Sequence, residues 1–446
     1  MAKKRTAVSK PPARKKTARK PRATAAAAAP VGVLVVNMIP QTLSSETNQD
    51  SEPMLAVHPN QTDHLVGTAF TPDPMGSGLA PYFQSTDGGA TWILNAVVPG
   101  GNMTGDITVA FSGTGDKLFA GILRRDSPQP PITRMAIVRT NDFTSTAAMD
   151  VLEDRLRPDQ PFAQATTVAN GAAAGKERLY VGNNDFAASP QTATLDVALD
   201  AGSAGPVVQQ VRLEHRAAAT AGQDGPQIRP SIHSDGTVYA AFYGWRSQSG
   251  DWDANTLEVT ADVVVVRDDH WGDSANPFED LIDPGDNLAG LRVVRNVTFA
   301  FNQFGKTVNG QQRLGGTLSI AVDPRPDHSG TVYLAWGSDE AETAFTIHVR
   351  RSTDRGLTWS ATDLLTLPRA TNAALAINSD GVVALLYQQL SGTGLHQRWA
   401  THLRRTSNGQ TWSDLVLADT PANMPAKTFD PYLGDYDYLT AVGKTF

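Results

Sequence analysis

Ser85-Thr86-Asp87-Gly88-Gly89-Ala90-Thr91-Trp92 and Ser352-Thr353-Asp354-Arg355-Gly356-Leu357-Thr358-Trp359 are two copies of one eight-residue pattern, S-x-D-x-G-x-T-W. A worn third copy reads Arg405-Thr406-Ser407-Asn408-Gly409-Gln410-Thr411-Trp412. Each copy separates two apolar, strand-like runs. The chemistry is that of a self-stapled hairpin turn. The Asp carboxylate accepts hydrogen bonds from turn N–H groups, and the Ser hydroxyl adds a local bond. Gly supplies a positive φ that other residues resist. Trp covers the sheet edge. Ser85, Asp87, Gly89, Trp92, Ser352, Asp354, Gly356, Trp359, Gly409 and Trp412 are therefore read as structural.

Working outward, each turn is preceded by an apolar strand, a Gly-containing turn and a second apolar strand. Six such pairs occur: 54–57 with 65–70, 107–111 with 118–123, 162–168 with 179–182, 230–232 with 238–242, 318–322 with 332–336, and 374–377 with 382–387. The turns that follow them centre on Asp87, weaker Asp142, Asp200 and Asp268, then Asp354 and Ser407. The long interval before Asp354 is read as an insertion over 272–313. Four short strands repeating every ~50–60 residues describe a β-propeller blade. The expected fold is all-β, with six complete four-stranded blades and a partial seventh begun by 438–442. Strand 31–37 is expected to join that last blade and close the ring; the alternative is a chain truncated at Phe446.

Composition agrees with one large β domain. The 446 residues are 40% hydrophobic and include no Cys, which excludes disulfides, thiolate metal sites and cysteine nucleophiles. No apolar run is long enough for a membrane-spanning helix. Residues 1–30 carry ten Lys/Arg and no acid, so the net charge of −7 divides into a basic tail and an acidic body of −17. The expected domains are a disordered tail at 1–30 and a single propeller at 31–446. The tail reads as a solubilising extension, or as an arm for nucleic acid or another anionic surface. With no clear signal peptide, a cytoplasmic location is expected and secretion is the alternative. A monomer is expected.

The S-x-D-x-G-x-T-W turns resemble the Asp boxes, or BNR repeats, of sialidase-like propellers, over about residues 50–440. That resemblance implies a carbohydrate-active protein of exo-glycoside hydrolase type acting at the central channel, with a glycan as ligand. The family's pattern uses three arginines on a substrate carboxylate, an Asp acid and a Tyr–Glu pair. Its F/Y-R-I-P strand has no counterpart here: Met38-Ile39-Pro40 lacks the Arg. The alternative is a non-catalytic propeller binding glycan or protein.

In a propeller, residues just before each innermost strand face the axis. Here these are Glu52, Asp106, Asp159, Arg229, Arg313 or Gly315, Asn372, and Asp435 with Tyr436 and Asp437. Crowded carboxylates raise one another's pKa and suit acid–base work. The candidate assignments are Asp106 or Asp159 as acid, Glu52 or Asp435 as base or orienter, Tyr436 as an activated Tyr, and Arg229, Arg313 and Arg369 as substrate-anion clamps. No cofactor is expected, although the same carboxylates could hold Ca²⁺. Trp245, Trp252 and Trp271 could form a sugar-stacking platform, or simply cover loops. No HExxH, nucleophile elbow or P-loop is present.

Overall fold

The computed structural model describes residues 32–39, 51–70, 80–97, 103–128, 131–217, 222–223, 225–251, 254, 256–302, 316–339, 345–422, 424 and 433–446. The basic tail, Arg313 and Trp252 lie outside them. Residues 36–446 make one compact unit.

Twenty-four strands form six four-stranded antiparallel sheets, each built from consecutive strands. The blades span 51–97, 103–156, 158–212, 229–302, 318–368 and 370–421. Their inner strands are Ser51–Val57, Met103–Phe111, Pro158–Thr167, Arg229–Ile232, Leu318–Val322 and Ala370–Ile377. Apolar clusters fill the space between adjacent blades: Met54, Val66, Ile107 and Ile122 between the first two, Leu334 and Val332 with Tyr243 and Val265 between the fourth and fifth.

Each inner strand is a sheet edge, so one row of its backbone groups lacks a ladder partner. Ser and Thr from the neighbouring blade supply partners. The Ser231 hydroxyl accepts from the Val322 N–H (3.0 Å). Ser319 accepts from Leu375 (2.9 Å), Thr317 from Ala373 (2.7 Å) and Thr108 from Ala163 (3.2 Å). The Thr68 hydroxyl donates to the Ile107 carbonyl. The edge position also explains why Pro53, Pro161 and Pro230 are tolerated at the strand heads.

The boxed turns form as the sequence reading expects. The Asp87 carboxylate accepts from the Thr91 N–H (2.9 Å) and hydroxyl (2.6 Å) and from the Ser85 hydroxyl (2.8 Å), while Ser85 Oγ accepts from the Gly89 N–H (2.9 Å). Asp354 repeats this with Thr358 and Ser352, and Ser352 with Gly356. Trp92 and Trp359 each donate the indole N–H to the box glycine's carbonyl, Gly89 and Gly356. The Thr91 bonds hold the Asp87 carboxyl down at about 2. In the third copy Thr406 and Asn408 take the Ser and Asp roles: Thr406 accepts from the Gly409 N–H and Asn408 from the Thr411 N–H, both at 2.9 Å. Ser407, the residue aligned with Asp by sequence, does not. The turn is one residue shorter, which an ungapped alignment conceals.

Three expectations are corrected. Residues 32–37 form no strand, so they do not complete a blade. Residues 438–442 pair with no blade sheet, and no seventh blade exists among the described residues. The interval 272–313 is not all insertion: Leu291–Asn302 is the outer strand of the fourth blade. Ahead of it, the loop folds around Asp283, whose carboxylate receives Arg292 (2.8 Å) and Arg295 (3.2 Å).

Replacing Asp354 with Ala removes three accepted hydrogen bonds from the turn and leaves it the Ser352–Gly356 and Trp359–Gly356 bonds. Chemical denaturation should show a loss of about 1–3 kcal/mol. The same substitution at exposed Asp380, outside the boxes, should change stability far less.

Candidate functional site

The heads of four inner strands are irregular in a common way. Pairing slips between Ser51 and Met54, between Thr104 and Ile107, between Asp159 and Phe162, and between Thr371 and Ala374. Such bulges re-aim side chains. Glu52 and Gln160 adopt φ of 54° and Asn372 of 56°, a left-handed conformation that costs non-glycine residues of order 1–3 kcal/mol each. Strain of this kind persists where surrounding contacts hold it.

Those contacts come from the chain's own C-terminal segment, which runs along the axis. At the strand heads Asn372 Nδ2 donates to the Gly434 carbonyl (3.4 Å) and Glu52 Oε1 accepts from the Asp435 N–H (3.0 Å). Gln160 Nε2 donates to Asp435 Oδ2 (3.2 Å), and the Tyr436 hydroxyl donates to Asp106 Oδ1 (3.1 Å). Four blades thereby grip three consecutive residues. Further along, Gln164 donates to the Tyr438 hydroxyl (3.2 Å), and the Tyr438 ring packs on Phe162. At the far end the Gly443 and Lys444 carbonyls accept from the Ser379 N–H (2.8 Å) and Asn378 Nδ2 (2.9 Å), in the turn that ends the sixth inner strand. Gly434 is required at the head: its φ is 82°, and a Cβ there would lie 2.7 Å from the Glu52 backbone nitrogen.

The candidate residues therefore divide. Glu52, Asp106, Arg229, Asp435 and Tyr436 are buried at one end of the axis, all less than 10% exposed. Asp159 is half-buried and accepts from the Gln160 N–H (2.9 Å); it is Gln160 that reaches the tail. Arg369 instead sends its guanidinium to the Gly392 carbonyl (3.1 Å) in an exposed contact. The arginine cluster thus does not assemble from Arg369, and Arg313 lies outside the described residues. Sequence reasoning placed Asn372 at the axis but missed Gln160, which the structure puts against the tail. A signal was available for Gln160: Glu52-Pro53, Gln160-Pro161 and Arg229-Pro230 align a polar residue before a strand-head proline.

The electrostatics follow from burial. Desolvation, with Asp106 and Glu52 nearby, pushes the Tyr436 phenol well above its ordinary value, the opposite of nucleophile activation. Desolvation lowers Arg229 to about 10. Its guanidinium lies over the Phe162 ring at 4.1 Å and near the Tyr436 ring at 5.3 Å. Desolvation raises Asp437 to about 7, against the pull of Arg229. Beside the tail, between the inner strands of the third to sixth blades, lies a cavity of about 230 Å³ lined by Arg229, Asp437, Gln164, Ser231, Ser319 and Ala374, among others.

Among the described residues, Trp245 and Trp271 form no platform at the channel. Trp245 is buried, donates to the Gly225 carbonyl (3.0 Å) and packs on Phe301; Trp271 lies against Gly236. Asp268, His270 and Asp280 lie close enough to share a cation, but the Asp268 carboxylate already accepts the His270, Gly272 and Phe278 N–H groups.

No family model matches the chain, and no curated protein does. Solved structures do. An α-L-arabinofuranosidase of Fusarium graminearum, in complex with an iminosugar inhibitor, is 12% identical with a TM-score of 0.45, covering 83% of this chain and 93% of that one. Sqt1 from Chaetomium thermophilum is 14% identical with a TM-score of 0.37, covering 84% and 74%. Sqt1 is also solved bound to the N-terminus of a ribosomal protein, at 15% identity and a TM-score of 0.35, covering 84% and 75%. At identities of 12–15% and TM-scores of 0.45 or below, these likenesses say nothing about what this chain does.

Two outcomes follow from the tail. Gly434→Ala should lower stability by on the order of 2 kcal/mol and expose the C-terminal segment to limited proteolysis. Asp437 gives a pH signature. Its folded pKa lies above the unfolded carboxyl's, near 3.9, so its contribution is fully present below that value and is lost as pH rises through about 7. Scanning calorimetry should show the wild-type melting temperature falling relative to Asp437→Asn across that window, with no further divergence above it.

Proposed function

We propose that the chain is a sialidase-like propeller that binds its ligand at the axis without hydrolysing it. One observation carries the reading. Of the groups best suited by type to acid, base and nucleophile, Glu52 accepts from the tail backbone, Asp106 and Tyr436 bond to each other, Asp435 accepts from Gln160, and all four are buried. A glycosidase needs an open subsite between its acid and its nucleophile. Here protein fills that place, and Tyr436 is held in its protonated form by its surroundings.

Hydrolysis at the strand heads is the second reading, favoured by the convergence of Glu52, Asp106, Arg229 and Tyr436 at one end of the channel. It requires residues 434–438 to leave. A panel of fluorogenic glycosides, including arabinofuranosides and sialosides, separates the two. The full chain should turn over none of them above the background of Asp106→Asn. Turnover that disappears in Asp106→Asn and in Glu52→Gln would establish a hydrolase and reject the binding reading.

A further inference from the structure

Among the described residues, two charged side chains inside the channel make no hydrogen bond or ion pair. Arg229 is 6% exposed, and its Nε makes no hydrogen bond. Its guanidinium lies over the Phe162 ring and near the Tyr436 ring, within the field of Asp106 and Asp437. Asp437 is also 6% exposed, and its carboxylate takes part in no hydrogen bond or ion pair among the described residues. Both line the 230 Å³ cavity, which has room for several waters. The two charges influence one another without forming an ion pair. Buried charged groups left in this state are costly unless something else completes them.

The cavity's shape limits what that can be. The tail fills one side of the channel. On the other side the inner strands present small residues, Ser231, Ser319, Ala321, Ala374 and Ala376, which leave the space open. The Ser231 and Ser319 hydroxyl oxygens already accept from backbone N–H groups of the next blade, which leaves each O–H free to donate. The charged groups of the lining are one cation, Arg229, and one carboxylate, Asp437. A simple anion would satisfy Arg229 and face Asp437 unfavourably. A simple cation would do the reverse. A neutral polyol would leave both charges uncompensated. A ligand bearing both signs answers both charges at once.

We propose that the axial cavity is a binding site for a small zwitterion of amino-acid size, its carboxylate on the Arg229 guanidinium and its ammonium on the Asp437 carboxylate. The proposal rests on the reading of the chain as a binding propeller and supplies its ligand class. The guanidinium is well shaped to take a carboxylate through two parallel N–H bonds. Burial makes each such contact count for more than it would at the surface. The ammonium would also favour the ionised form of Asp437. The adjoining Gln164 and Tyr438 form a polar wall, already bonded to each other, that fixes the tail beside the ligand.

The test is thermal shift and calorimetric titration of the full chain at pH 7.5 with L-alanine, L-serine and L-glutamate, beside acetate and ethylammonium as single-charge controls. At least one amino acid should raise the melting temperature in a concentration-dependent way, with each control at least tenfold weaker. Asp437→Asn preserves shape and should weaken amino-acid binding at least tenfold. Arg229→Gln should do likewise, and if it fails to fold, Asp437→Asn still decides. Acetate binding as well as the amino acids, no response up to tens of millimolar, or undiminished binding by Asp437→Asn would each overturn the proposal. A silent titration without glycoside turnover would remove this ligand and leave the binding reading intact. Turnover would remove the binding reading itself.

Discussion

A ring of blades must be joined where its first and last members meet. Here every blade consists of four consecutive strands, so among the described residues no sheet is shared between the two ends of the chain. The joint is made along the axis instead. Gly434 lies against Ser51 and Glu52 of the first blade and accepts a hydrogen bond from Asn372 of the sixth. The next two residues reach the second and third blades through Asp106 and Gln160. The strained φ values at Glu52, Gln160 and Asn372 occur where those side chains turn toward the tail. Ring closure and channel occupancy are thus one set of contacts.

Elsewhere the fold rests on two repeated local devices. Ser and Thr hydroxyls answer inner-strand N–H groups across the gaps between blades, and boxed Asp or Asn side chains tie the outer turns. Each is modest, on the order of 1 kcal/mol net per hydrogen bond. Repetition around the ring, together with the apolar packing between blades, makes them sufficient. Arg155 shows a costlier device. It joins the second blade to Asp185 and Asp196 of the third at 3.0 and 2.9 Å, and desolvation lifts Asp196 to about 6. Such a buried pair fixes geometry more than it adds stability.

The blade architecture was legible because its signals are local. Asp87 and Asp354 sit in near-identical octapeptides, and alternating apolar runs mark the strands. The axial positions of Glu52, Asp106 and Arg229 followed from the architecture, since the head of an inner strand lies near the axis. What was not legible depends on contacts between residues hundreds of positions apart. Nothing in 438–442 distinguishes a strand of a blade from a segment lying in the channel, because both are partly apolar and extended. Asp159 and Gln160 are adjacent, and only the bulge decides which one turns inward. Arg369 resembles Arg229 in sequence position, but its guanidinium is drawn to the nearby Gly392 carbonyl.

The axial segment follows all six blades in the chain, and this gives assembly an order. Synthesis runs from the N-terminus, and structure forms as segments emerge. The blades can therefore stack before the residues that lock them have been made. During that interval the bore is vacant, and the acidic and amide side chains around it are wet. Until residues 434–444 join it the ring is unlatched, because the segment that ties its blades together is made after all six of them.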